Sequence, residues 1–333
     1  GALLFIPAAN AKDYSFFLFG LFIIASGATF LETVANPYIT KLGDEKTSAQ
    51  RLNLAQSFNG VGAVIAPIIG GQFILSGVEY SREQLQQMDP AALNNYLHAE
   101  AATVKIPYMV IAAVVFVLLA LFFVTRLPEI KEADADAPSA FSFKVLRHKQ
   151  LTWAVIAQFF YVGAQTCVGS FFIRFSKYTE GMGEKNAAFL WGTVAMVGFM
   201  LGRFSGTFFM KYIRPAKLLG IYALINIVLL AVAVFAKGDV AVYALVAVPF
   251  FMSIMFPTIF AMGISGLGEE TKIAASFIVM AIVGGAIFPL LMGQISDATG
   301  GNIQLAYLVP IACFVVIAFY AYKFRDLFTT EKT

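Results

Sequence analysis

Long stretches without charged residues dominate this sequence and decide what it can fold into. Eight stretches lack Asp, Glu, Lys and Arg altogether, and a ninth, 14–40, contains only Glu32. The eight are 52–78, 106–125, 150–173, 186–202, 218–236, 240–268, 273–296 and 298–322. Each is about as long as the 20 residues that a helix needs to cross a bilayer. Lipid admits only helices and closed barrels, and barrel strands would alternate apolar with polar residues. The pattern predicts an all-α, polytopic membrane protein with nine complete spans.

The composition agrees with a chain whose solvent is lipid. Hydrophobic residues make up 59% and charged residues 13% of the chain, whereas soluble domains are nearer half apolar and a quarter charged. A core of this size could not hide the excess from water, which argues against a soluble enzyme or a disordered protein. The net charge of +3 is too small to indicate a nucleic-acid partner. Cys167 and Cys313 lie in apolar stretches, so we expect no disulfide, no metal and no cofactor.

Lys and Arg residues are distributed unevenly between alternate connections. Fifteen fall on one side and seven on the other, and the positive-inside rule makes the richer side cytoplasmic. The connection 79–104 then lies outside, where Asp89 followed by Pro90 is typical of the start of a short surface helix. The connection 128–149 is cytoplasmic, and its sequence EADADAPSA indicates a linker between two halves.

A motif of the form G-x4-P-x3-G-Q occurs twice, starting at Gly62 and at Gly284. The span before each copy also contains a proline, Pro37 in the first case and Pro257 in the second. Matched positions at one offset indicate two equivalent halves. Three spans separate the linker from the span that holds Pro257, so we expect the first half to lack two helices and most of a third, roughly 70 residues.

The repeat and the linker together predict the domain organisation. The intact arrangement would be two six-helix bundles joined on the cytoplasmic side. We expect a truncated N-terminal bundle over 1–127, a linker over 128–149 and a complete C-terminal bundle over 150–333. The truncated bundle would contain the end of a third helix and then helices four to six.

Glu32 is the acidic residue that interrupts an apolar span. A carboxylate inside the membrane is expensive, so it should face a cavity or a partner. Desolvation penalises the charged form and would raise the pKa of Glu32, which could then carry a proton across. Asn36 lies one turn later on the same face. Asn36 is a candidate ligand, but its side chain could instead hydrogen-bond backbone groups that Pro37 leaves without a partner. In the same way, Glu32 could serve only to hydrogen-bond a neighbouring helix.

The next span carries Asn53, Gln56 and Asn59 at every third position. Amides both donate and accept hydrogen bonds, which suits the hydroxyl groups of a sugar. Gln56 and Asn59 are therefore candidate substrate ligands, although interhelical hydrogen bonding would also explain them. We expect Asn53 to lie at the cytoplasmic end of the helix, in solvent.

The second half offers fewer candidates. Gln158 and Gln165 are seven residues apart on one face of the first span after the linker, and Gln165, nearer the middle of the membrane, is the better ligand. Asn226 is isolated and more typical of a structural role. Arg203 stands towards the cytoplasmic end of its span, and we expect it to tie helix ends together in a gate.

Segments of both halves resemble the fucose:proton symporter family of the major facilitator superfamily, which includes bacterial fucose permeases and glucose/galactose transporters. The resembling segments are LETVANPY at 31–38, RLNLAQSFN at 51–59, YVGAQ at 161–165, MFPTIF at 255–260 and SFIVM at 276–280. The likeness covers nearly the whole chain.

The resemblance implies proton-driven import of L-fucose or a related hexose by alternating access, across the inner membrane of a bacterium. It implies Glu32 as the protonatable residue and Gln56 and Asn59 as part of the sugar site. The family's other coupling carboxylate belongs to its first helix, so we expect this segment alone to be inactive. The acid at position 32 resembles the residue of the fucose permeases, whereas the glycine at position 169 resembles that of the glucose/galactose transporters. The resemblance therefore does not decide which of these sugars is carried.

We expect a monosaccharide, a proton and membrane lipid as partners, and a monomer. An uncoupled sugar facilitator is the alternative, and a sensor that binds without transport is another. An intramembrane enzyme is disfavoured because the sequence has neither an H-E-x-x-H nor a G-x-S-x-G motif.

Overall fold

The computed structural model describes residues 1–11, 14–73, 84, 87–128 and 142–327, except the side chains of 67–73, 100 and 101. This part of the chain is helical and contains no strand. Its long helices are labelled α1 to α9 in chain order. They are Tyr14–Lys41 (α1), Ser48–Phe73 (α2), Lys105–Val124 (α3), Lys149–Ser170 (α4), Glu184–Phe209 (α5), Pro215–Phe235 (α6), Gly238–Ile264 (α7), Gly268–Ala298 (α8) and Ile303–Lys323 (α9).

Eight of these helices, all except α2, are long and apolar enough to cross a membrane by length and composition. Each coincides with one of the predicted spans; α3, for example, occupies the place of the charge-free stretch 106–125. The remaining predicted span, 52–78, ends outside the described residues, and its described part is the 26-residue helix α2. The protein is therefore a multi-pass, all-helical membrane protein.

The predicted surface helix after Asp89 is present as Pro90–Thr103. The Asp89 side chain caps it by accepting hydrogen bonds from the backbone N–H groups of Ala91 and Ala92, and Pro90 occupies the first helical position. Proline is favoured there because its missing N–H would have no partner in the helix. Most of the predicted linker 128–149 lies outside the described residues.

The chain forms two compact units, which do not follow its order in sequence. One unit consists of Gly1–Glu32 and Ile65–Lys131, and the other of Thr33–Val64 and Glu132–Thr333. In the first unit, the ring of Phe5 stacks on that of Tyr108 with centroids 3.7 Å apart. The predicted division into bundles over 1–127 and 150–333 stays a prediction.

The second unit contains most of the buried core, in which α4 packs against α7, α8 and α9. Glycine permits the closest of these contacts. A Cβ atom at Gly284 would lie 2.0 Å from the backbone oxygen of Phe159, so α8 and α4 approach each other backbone to backbone. Small residues at crossings are the usual device by which membrane helices pack tightly. Gly284 is also the first residue of the second repeat motif, which gives that motif a packing role.

Two of the long helices are irregular. α7 consists of Gly238–Met252 and Met255–Ile264, with a turn between them. Pro257 has no N–H to donate to the carbonyl of Ser253 four residues earlier, so the helical ladder is interrupted there. α5 contains a π-helical segment, Leu190–Ala195, ahead of the regular helix Met196–Phe209.

Candidate functional site

α1 places Glu32 and Asn36 one turn apart on the same face, as the sequence predicts. Glu32 is half-buried and Asn36 is buried. Pro37 lies inside the helix directly after Asn36. An ionisable group and an amide thus stand side by side within one apolar span.

Gln56 of α2 connects to this pair. Its Nε2 donates a hydrogen bond to Oδ1 of Asn36 at 3.0 Å. Within the described part of the chain, this is the hydrogen bond that the Asn36 side chain makes, and its buried Nδ2 has no acceptor there. Asn36 therefore faces the neighbouring span and does not serve the backbone freed by Pro37.

Arg203 of α5 reaches the same cluster from the C-terminal half. Its guanidinium is buried, and one terminal nitrogen donates both to the backbone oxygen of Gln56 and to Oε1 of Gln56, the latter at 3.4 Å. The guanidinium also lies 4.6 Å from the ring centroid of Phe199, one turn away. A charged group inside a membrane span is costly, which makes Arg203 a candidate functional residue. Arg203 thus joins helices, as predicted, but at the candidate sugar ligand Gln56 inside α2 and not at a helix end. The predicted gate stays a prediction.

The interruption in α7 provides the other anchor of Arg203. Nε of Arg203 donates to the backbone oxygen of Ser253 at 2.8 Å. This is the carbonyl that Pro257 leaves without its helical partner. The neighbouring carbonyl of Met252 accepts from the Tyr161 hydroxyl at 3.1 Å. The repeat proline thus leaves the Ser253 carbonyl to Arg203 of α5, and Tyr161 of α4 binds the carbonyl of the preceding residue.

Asn53 corrects an expectation from the sequence. It is fully buried, not solvated at a helix end. Its Nδ2 donates to the backbone oxygen of Ala49 at 2.8 Å and to Oγ1 of Thr258 at 3.0 Å. Thr258 belongs to the second half of α7, so Asn53 joins α2 to α7 as a structural hydrogen-bond donor.

Asn59 has the opposite environment. Its side chain is exposed and has no hydrogen-bond partner within the described residues. The next residue, Gly60, is buried, and a Cβ there would lie 3.3 Å from the Cα of Met200. α2 and α5 therefore cross at Gly60, immediately beside an amide that is available to a ligand.

The two glutamines of α4 also differ. Gln158 is fully buried, and neither amide atom has a hydrogen-bond partner in the described structure. Gln165 is half-buried and likewise makes no hydrogen bond to the described residues. Gln165 can meet a ligand without a rearrangement of the core, so it is the better candidate.

Further contacts join residues 33–64 to the C-terminal helices. Oε1 of Glu45 accepts from Oγ of Ser265 and from the backbone N–H of Gly266, both at 2.6 Å. Nζ of Lys41 donates to the backbone oxygen of Gly268 at 3.2 Å. Gly266 has a φ of 71°, which favours glycine. Sequence reasoning missed these pairs, because their members are more than two hundred residues apart.

The described residues contain no group of three His, Cys, Asp or Glu side chains that could hold a metal ion. The candidate site consists of one carboxyl group, several amides and one guanidinium. Amides can donate hydrogen bonds to hydroxyl groups and accept them, and a carboxyl group can take up and release a proton.

The family model of the Major Facilitator Superfamily matches residues 1–281. The chain belongs to this superfamily. The L-fucose-proton symporter of Escherichia coli strain K12 is 45% identical over 339 residues, which cover 99% of this chain and 76% of that protein. A glucose/galactose transporter of Brucella abortus is 39% identical over 326 residues, which cover 96% of this chain and 74% of that protein.

Solved structures of the superfamily have the same fold. The crystal structure of the E. coli fucose:proton symporter superimposes with a TM-score of 0.88 at 43% identity, covering 97% of this chain and 80% of that one. A second structure, of a superfamily transporter in the outward conformation, gives the same TM-score at 44% identity, covering 97% of this chain and 79% of that one. These similarities confirm the predicted fold class and the predicted family. The number of helices that precede α1 stays a prediction.

Proposed function

We propose that this protein is a proton-coupled symporter that imports L-fucose or a related hexose across the inner membrane of a bacterium. Glu32 carries the proton, and Asn36, Gln56, Asn59 and Gln165 bind the sugar. The similarity to a fucose–proton symporter and to glucose/galactose transporters supports this activity. The transporter works as a monomer through alternating access.

The observation that carries the proposal is the position of Glu32 beside an amide cluster. Asn36 stands one turn from the carboxyl group and is held by Gln56 across two helices. A neutral amide at position 32 would serve as structural glue with a smaller desolvation penalty, so an acid there favours a titrating role. The Nδ2 atom of Asn36, which is buried and has no acceptor among the described residues, is the donor that we assign to a sugar hydroxyl once the site opens.

The order of steps in transport follows from the charge of Glu32. With the cytoplasmic side closed, Glu32 takes a proton from the outer solution and becomes neutral. The sugar hydroxyls then exchange their water for the amides of Asn36, Gln56, Asn59 and Gln165. A neutral Glu32 removes the penalty of enclosing a charge in the closed cavity, so the loaded carrier changes its access. The proton and the sugar leave on the cytoplasmic side, where the pH is higher.

The proposal allows more than one sugar as the transported substrate. L-Fucose is 6-deoxy-L-galactose, so it lacks the C6 hydroxyl group of galactose and belongs to the mirror-image series of D-galactose. Both sugars present hydroxyl groups that amides can bind. A glucose/galactose transporter of the same family is therefore the second candidate. An uncoupled facilitator would need the amides but no titrating acid.

Uptake by proteoliposomes containing the full-length protein tests the proposal. The vesicles receive radiolabelled L-fucose, galactose or glucose, with or without an inward proton gradient. We expect accumulation of one of these sugars above the outside concentration only with the gradient, and its loss when a protonophore is added. Equal rates with and without the gradient would identify a facilitator. Absence of uptake for all three sugars would contradict the proposal as a whole.

A further inference from the structure

The connection between α5 and α6 concentrates positive charge at one end of the helical bundle. It consists of residues 210–214, and Lys211 and Arg214 belong to it, while Lys217 follows in the first turn of α6. All three side chains are exposed. The positive-inside rule explains an excess of Lys and Arg on one side of a membrane, but it does not require three of them to meet at one short connection.

The negative charge beside this cluster is small. Nη1 of Arg214 lies 3.6 Å from a carboxylate oxygen of Asp326, just beyond the end of α9. The same carboxyl group lies 3.5 Å from Nε of Arg325, so two guanidinium groups share it. The ammonium groups of Lys211 and Lys217 form no ion pair and no hydrogen bond with the described residues. The cluster therefore has a net positive charge for an external anion to balance.

The start of α6 has the opposite charge from the one that a helix N-terminus favours. The N-terminus carries a partial positive charge, so acidic residues in the first turn are stabilising and basic residues are not. The first turn of α6 contains no acidic residue, and Arg214 at its N-cap makes no capping hydrogen bond through its side chain. An anion at this place would interact favourably with the helix dipole and with Lys217 together.

An exposed apolar strip continues from Lys217 along α6. Ile221, Leu224 and Val228 follow at helical spacing on the same face, and all three are exposed. In a helix that crosses a membrane, such side chains contact the acyl chains of lipids. The unpaired positive charge thus lies at the end of a surface that lipid chains cover.

Two exposed aromatic side chains accompany the cluster at the end of α5. The rings of Phe208 and Tyr212 lie with centroids 5.5 Å apart, and Nζ of Lys211 lies 5.7 Å from the ring centroid of Phe208. Tyrosine is typical of the level of the lipid headgroups. We therefore expect Lys211 and its basic neighbours at the depth of the lipid phosphates.

We propose that the connection between α5 and α6 binds an anionic phospholipid. Lys211, Arg214 and Lys217 bind its phosphate, and one of its acyl chains lies along Ile221 and Leu224. Charge complementarity identifies the headgroup, and the apolar strip identifies the chain. A free phosphate would leave the strip unused, and a nucleic acid could not enter the membrane to reach it. The inference needs neither a sugar nor a proton, so it is independent of the proposed function.

Thermal unfolding of the delipidated full-length protein in a neutral detergent tests this site. Phosphatidylglycerol should raise the melting temperature in a saturable manner, whereas phosphatidylcholine should not. In the double variant Lys211→Gln with Lys217→Gln, the half-saturating concentration of phosphatidylglycerol should rise about tenfold or more, because two of three cations are lost. No response of the parent to phosphatidylglycerol, or an equal response to phosphatidylcholine, would overturn the proposal.

The matched control removes two exposed lysines from the opposite ends of the same helices. Lys185 lies at the start of α5, and Lys237 follows the end of α6. The double variant Lys185→Gln with Lys237→Gln should respond to phosphatidylglycerol as the parent does. If the two double variants respond equally, general charge and not this cluster attracts the lipid, and the proposal is wrong.

Two further measurements separate a lipid from a free anion and a lost site from a misfolded protein. Inorganic phosphate carries the charge without the chains, and stabilisation by it as strong as that by phosphatidylglycerol at the same concentration would refute a lipid site. Lys211→Arg with Lys217→Arg keeps both charges and should keep the response, which loss of binding in that variant would contradict. Native mass spectrometry should retain less phosphatidylglycerol on the glutamine variant than on the parent, and equal retention would exclude the site.

Discussion

Arg203 and Gln56 are joined twice, since one guanidinium nitrogen of Arg203 donates to the backbone oxygen and to the side-chain oxygen of Gln56. Another nitrogen of the same guanidinium holds the carbonyl of Ser253 at the interruption in α7. Gln56 in turn donates to Asn36, one turn from Glu32. A candidate sugar ligand is thereby fixed by residues of three different helices, and its orientation depends on all three.

Arg203→Lys should lower both stability and sugar affinity. Lysine keeps the charge, but its single ammonium group lacks the planar fork that reaches Ser253 and Gln56 at once. We expect a loss of about 2 kcal/mol in the free energy of unfolding, measured by thermal or denaturant unfolding in detergent, and a higher Kd for the sugar. Arg325→Lys is the matched control, because Arg325 is exposed. If Arg203→Lys has the stability and the sugar affinity of the parent, the two contacts to Gln56 contribute neither to folding nor to sugar binding.

Glu32→Gln should uncouple sugar movement from the proton gradient. The amide mimics the protonated acid and cannot release a proton, so the full-length variant should exchange sugar but not accumulate it. Lowering the outside pH should speed uptake by the parent, because it loads Glu32, and should not speed uptake by the variant. Glu184→Gln, at an exposed acid paired with Lys177, should behave as the parent. Undiminished accumulation by Glu32→Gln would exclude Glu32 as the proton carrier.

Gln56→Leu should weaken sugar binding far more than a change at the adjacent position. Leucine has a similar size but removes the donor to Asn36 and leaves a buried oxygen of Asn36 without a partner, a penalty of about 1–3 kcal/mol. Isothermal calorimetry with the transported sugar measures the effect, which should reach tenfold in Kd or more. Ser57→Ala removes only a hydrogen bond to the preceding turn, that from Oγ to the Asn53 carbonyl. Equal affinities for Gln56→Leu and Ser57→Ala would contradict the assignment of Gln56.

Gly202→Ala should destabilise the contact between α5 and α7. A Cβ atom at Gly202 would lie 2.2 Å from the backbone oxygen of Phe250, so the helices must separate. Overpacking of this kind costs about 1–3 kcal/mol and should lower the melting temperature in detergent. Gly198→Ala lies one turn earlier, where a Cβ meets no atom within 4 Å, and should leave the melting temperature unchanged or raise it. A melting temperature for Gly202→Ala equal to that of Gly198→Ala would show that the helices are not in close contact there.

The sequence predicted the spans well, because membrane crossing depends on the local density of apolar residues. The helix α3 coincides with its charge-free stretch to within a residue or two, and the Asp89–Pro90 signal correctly placed a surface helix. The pairing of Glu32 with Asn36 also follows from helical periodicity alone.

The environments of the polar residues were harder to predict. Asn53 was expected in solvent, yet it is buried because Thr258, 205 residues away, supplies its acceptor.

The sequence by itself determined that this is a helical membrane protein, which stretches form its spans, and which few polar residues those spans contain. Those properties depend on neighbours along the chain and on the cost of exposing charge to lipid. Only the tertiary structure decided which amides are held by other helices and which remain available to a sugar. Hydrogen bonds such as the one between Asn53 and Thr258 form between residues that are distant in sequence, and no local pattern encodes such a partner.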